Sequence, residues 1–60
     1  MWATVLRFVT YVMSKAWSLG WSRAVRVANW AKANYVTVYR WIMSGVAWDT
    51  IINWIVNYVG

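Results

Sequence analysis

The sixty residues contain no cysteine, no histidine, no proline and no glutamate, and a single aspartate, Asp49. Without cysteine there is no disulfide and no thiolate metal site. Without histidine the commonest general base and metal ligand is gone. One carboxylate cannot supply the paired acids of a hydrolase. These absences close most routes to an ordinary enzyme and give no reason to expect a cofactor, a metal or a small-molecule substrate. The lack of proline leaves nothing to interrupt a helix, and the three glycines stand at 20, 45 and 60.

What is present is apolar and basic. Hydrophobic residues make up 63% and aromatics 20%, with seven Trp and four Tyr, so packing alone must hold a chain near the lower size limit for folding unaided. Net charge is +5, from Arg7, Lys15, Arg23, Arg26, Lys32 and Arg40 against Asp49. Such a balance is drawn to polyanions, either nucleic acid or an anionic membrane. The Trp and Tyr content favours the membrane, because a ring with one polar tip suits the bilayer interface. No secretory signal is evident at the N-terminus. The longest uncharged run, Thr50–Gly60, covers only ~16 Å as a helix against the ~30 Å of a hydrocarbon core.

Apolar periodicity predicts four amphipathic helices in a single domain over 1–60, at about 2–18, 22–33, 35–44 and 47–59. The first places Trp2, Val5, Leu6, Val9, Val12, Met13 and Ala16 on one stripe, with Trp17 beside Met13, Phe8 on the flank, and Gly20 as its stop. In the second, Ser22 is the expected N-cap, and Ala24, Val25, Ala28 and Ala31 face the core together with Tyr35 just beyond the end. Asn34 is expected to end it in a left-handed conformation. Val36–Tyr39 taken alone reads as a strand, but alternation fails and no partner strand exists, so a helix burying Tyr35, Val38, Tyr39 and Ile42 is expected. Gly45 turns the chain into the last helix, whose core positions are Trp48, Ile51, Ile52, Ile55 and Val59. Four short-linked helices of this kind make an all-α bundle.

The run Trp41-Ile42-x-x-Gly45-x-Ala47-x-Asp49-x-Ile51-Ile52-x-x-Ile55, closing on Gly60, resembles the C-terminal half of the aureocin- and lacticin Q-like leaderless bacteriocins. Arg23-Ala24-Val25, Trp30 and Val5-Leu6-Arg7-Phe8-Val9 have looser counterparts upstream. The resemblance implies a four-helix saposin-like fold, synthesis without a leader, retention of the initiating Met, secretion without a signal peptide, and killing of Gram-positive bacteria by permeabilising their membranes. The chain departs from that pattern in having extra residues between the first and second helices. It also has Trp54 and Val56 where relatives usually carry Lys, which weakens the electrostatic part of the mechanism and strengthens the apolar part.

The six cations are the expected contacts for anionic lipid headgroups, although a solvated face that keeps an apolar protein soluble needs the same residues. Positive potential should be strongest over the second and third helices, where Arg23 and Arg26 share a face. By helical phase Trp2, Trp17, Trp21 and Trp48 belong to apolar stripes and to the core. Trp30, Trp41 and Trp54 fall on polar sides of three helices and are the expected membrane-interface anchors. Asp49 is expected to be structural, placed at a helix start where it favours the helix dipole, with Arg40 as a candidate partner. The function expected is an antibacterial protein that binds anionic bacterial membranes without a receptor, a monomer in water able to assemble on the membrane. A membrane-integral holin-like toxin is one alternative. A basic nucleic-acid-binding module is another, although no recognised nucleic-acid motif accompanies the charge.

Overall fold

The computed structural model describes residues 1–59, and Gly60, expected to close the last helix, lies outside the described residues. Five α-helices follow one another: α1 (Trp2–Ser14), α2 (Ala16–Leu19), α3 (Trp21–Ala33), α4 (Tyr35–Met43) and α5 (Trp48–Val59). The Val36–Tyr39 stretch is helical despite its β-branched residues. Tertiary burial of Val38 overrides its local preference.

The difference from the sequence expectation is the division of the first helix at Lys15, whose φ −101° and ψ 11° lie in the bridge region. Neither Gly nor Pro stands there. The ending is instead made by side chains and a tightened turn. The Ser14 hydroxyl donates to the Tyr11 carbonyl at 2.6 Å, and the Lys15 amide donates to Val12 at 3.0 Å, one residue short of an α-helical bond. The four-residue α2 then runs to Gly20, whose φ of +91° with ψ 139° only glycine adopts without strain.

The other glycine stop is a Schellman ending. Gly45 has φ +85° and donates to the Ile42 carbonyl at 3.1 Å, while Val46 donates to Trp41 at 3.2 Å. Two smaller expectations need correction. Ser22 lies inside α3, which starts after Gly20 without a side-chain cap. Asn34 ends α3 with φ −118°, not left-handed, because its Nδ2 and its backbone amide both donate to the Trp30 carbonyl, at 3.1 and 2.8 Å.

α3 packs on each of the other four helices. Its inner face is small: Ala24, Ala28 and Ala31 are buried beside Val27, which lets neighbouring helix backbones come close. Around it close Val5, Phe8 and Val12 of α1, Val38 of α4, and Ile51, Ile52 and Ile55 of α5. No polar side chain is buried among the described residues. The radius of gyration is 10.2 Å, against ~10.4 Å for a compact chain of this length.

The stripes are right in kind and partly shifted in phase. Phe8 and Val27 are fully buried, whereas Trp2, Leu6 and Tyr35 are exposed and Val25 is half-buried. A broad apolar stripe admits more than one inward direction, and the position of neighbouring helices selects it.

Candidate functional site

The cations divide sharply. Arg7, Arg23, Arg26, Lys32 and Arg40 are exposed. The single ion pair among the described residues joins Lys15 to Asp49, Nζ to Oδ1 at 3.1 Å. Asp49 does lie in the first turn of α5, but its cationic partner is Lys15 rather than Arg40. The bend at Lys15 accompanies this contact, bringing together residues separated by 34 positions.

The same carboxylate oxygen accepts from the Tyr11 hydroxyl at 2.7 Å, and the Lys15 ammonium lies 5.0 Å from the Tyr11 ring centroid. Bonds from Tyr11 and then Lys15 hold the Asp49 carboxyl below its ordinary value of 3.8. Bonds to Tyr11 and then Asp49 raise the Lys15 ammonium above 10.5. Of the six expected headgroup contacts, Lys15 is therefore compensated, while the charge that remains uncompensated is carried by the other five. Three of those five, Arg23, Arg26 and Lys32, ride on α3.

Trp30, Trp41 and Trp54, read as three separate outward rings, come together. Trp30 stacks on Trp41 with centroids 5.9 Å apart and planes at 8°, and on Tyr58 at 5.3 Å and 11°. Trp54 meets Trp41 edge to face at 5.1 Å. The group ties α3, α4 and α5 to one another. Trp41, Trp54, Asn57 and Tyr58 border an open cleft of about 340 Å³. Trp30 and Trp41 are half-buried and pack on the core, while Trp54 keeps 38% of its surface exposed and Tyr58 68%.

The rings expected inside behave in the opposite way. Trp17 is 87% exposed and Trp21 67%, one on each side of Gly20. Helix α2, which carries Trp17, buries no residue at all. Trp2 is also exposed, and lies edge-on against Tyr35 at 5.3 Å. Of the four, Trp48 alone packs against the core, half-buried, edge-to-face with Phe8 at 5.9 Å and with Tyr11 at 5.2 Å. Periodicity treats residues 2–18 as one helix, so it carries Trp17 onto the apolar stripe. The face that is buried runs through Val5, Phe8 and Val12 instead, away from the Leu6 margin on which Trp17 falls.

Chemically, this surface offers charge and amphipathic rings. Among the described residues no three His, Cys, Asp or Glu side chains gather, and no helix is long and apolar enough to cross a membrane. No protein-family model, curated protein or solved structure matches the chain.

Proposed function

We propose that the protein is a secreted antibacterial that binds anionic bacterial membranes directly and permeabilises them. The observation that carries this reading is the pairing of five exposed cations, without an acidic partner among the described residues, with Trp rings held in solvent on the same small molecule. Each cation near an anionic leaflet contributes ~1 kcal/mol, so five supply on the order of 5 kcal/mol of attraction before any ring enters the lipid. An indole has an apolar body and one N–H, and it settles at the headgroup level. The wholly apolar core supports a later step in which helices exchange one another for lipid, because parting them strands no polar side chain.

The resemblance to the leaderless bacteriocins fits the same reading. Counting α1 and α2 as one bent unit leaves four helical units, the number that the saposin-like fold implied by the resemblance calls for. Helices of at most thirteen residues, ~20 Å long, favour a surface-binding mode over a holin-like spanning one.

The test is dye release from vesicles at micromolar protein. Release from phosphatidylglycerol vesicles and not from phosphatidylcholine vesicles is the expected result. Intact vesicles of both kinds overturn the mechanism. Killing of indicator bacteria by the synthetic chain tests the antibacterial role separately.

A further inference from the structure

We infer that the corner made by α2 and the first turn of α3 enters the headgroup layer of an anionic bilayer first, with Trp17 and Trp21 as the entering rings. This rests on the membrane reading above and specifies which part of the surface acts.

Four observations converge on the corner. Its two rings are the most exposed tryptophans of the chain, at 87% and 67%. Neither takes part in the aromatic contacts that occupy the other five. Rings already stacked on one another have less apolar surface to give to lipid than rings facing water. The corner is also lightly held. α2 reaches the core only through the partly buried Ala16 and Leu19, and it ends on Gly20, around which a Cβ would meet nothing within 4 Å.

Charge complementarity selects the occupant. Arg23 and Arg26 follow Trp21 within the same helix, both exposed and without an acidic partner among the described residues. The single acid is engaged by Lys15 and Tyr11. Exposed indoles and exposed guanidinium groups carried on one short segment, with Ser18 and Ser22 as further exposed polar residues, suit a layer of phosphate and glycerol oxygens.

The experiment uses the whole chain and phosphatidylglycerol vesicles, comparing wild type, W17A/W21A, W17F/W21F and W54A. Because the corner rings are exposed, W17A/W21A should keep the wild-type circular dichroism and melting temperature. Its partitioning onto vesicles, measured by co-sedimentation, should fall by at least about tenfold, while W54A should stay within about threefold. W17F/W21F should still bind, since it keeps apolar rings. The fraction of Trp emission quenched by brominated lipid should fall in it, because the quenchable indoles are gone.

Vesicle binding by W17A/W21A within twofold of wild type overturns the inference. An unchanged quenched fraction in W17F/W21F does so as well. A wild-type chain that does not bind vesicles brings down the membrane reading itself, and is told apart from the other failures in the wild-type arm alone. Should W17A/W21A abolish a dimer seen by analytical ultracentrifugation and leave vesicle binding intact, the corner belongs to a second copy, and the inference fails.

Discussion

The molecule keeps its tryptophans in two different conditions. At the junction of α3, α4 and α5, Trp30, Trp41, Trp54 and Tyr58 lie ring on ring. At the α2–α3 corner, Trp17 and Trp21 stand in water with no aromatic partner. Within the first group the half-buried Trp30 and Trp41 have already exchanged much of their water for neighbours, so removing either costs the fold. A ring of the second kind gives the fold almost nothing, and its apolar surface is still available to another phase. In a chain of this composition, the number of tryptophans therefore says less than which of them are idle.

The largest expected effect is on the packed group. Trp41→Ala removes a half-buried ring that touches Trp30, Trp54 and the core, and should cost about 2–3 kcal/mol, or a fall of roughly 10–20 °C in melting temperature. Trp17→Ala should move the melting temperature by no more than a few degrees. Equal losses in the two variants would break the contrast.

Gly20→Ala comes next. No atom obstructs the new methyl group, so the whole cost is that of φ +91°, about 1–2 kcal/mol in denaturant melts. Gly45→Ala should cost about 1 kcal/mol by straining the Schellman ending beside Trp41. Comparing the two shows whether the corner is less firmly tied than the packed end. The larger loss is expected at Gly20; a loss there smaller than at Gly45 would show that the corner shifts its backbone to relieve the strain.

Smallest is the contribution of the tie between α1 and α5. The Asp49 carboxyl has a depressed value in the folded chain, so the stability it confers is complete above 3.8 and is lost as pH falls through the folded value. Lys15 has a raised value, so its share is complete below 10.5 and is lost as pH rises through the folded value. Thermal melts should be flat between these limits and dip slightly beyond each. Asp49→Asn should flatten the acid side. A dip that persists unchanged in this variant assigns the acid sensitivity to another group.

Much of the fold is legible in the sequence where one residue dictates the backbone. Gly20 and Gly45 mark turns because positive φ excludes side chains. Ile51, Ile52 and Ile55 mark a buried face because the polar Asn53 and Asn57 alternate with them at helical spacing. What is not legible depends on how helices are rotated about one another. Phe8 and Leu6 are both apolar and lie on the two margins of one stripe, and only the placement of α3 and α5 buries the first and exposes the second. The meeting of Trp30, Trp41 and Trp54 is of the same kind, since each looks solvent-facing within its own helix. Asp49 pairs with Lys15 and not with the expected Arg40, at the point where the first helix bends. That bend has no glycine or proline to announce it. Trp17 stands on the surface just beyond it.

The lengths of the helices carry a consequence for how a membrane would fail. The longest, α1 and α3, reach ~20 Å, two-thirds of the hydrocarbon thickness. Under the membrane reading proposed above, protein of this build would stay within one leaflet and expand its area while the opposite leaflet kept its own. Stress then accumulates with surface coverage and is relieved when lipid and protein cross to the far side. Leakage of this origin is transient and graded: it should fade as the two leaflets equalise, begin again with each fresh addition of protein, and show no fixed unit of conductance.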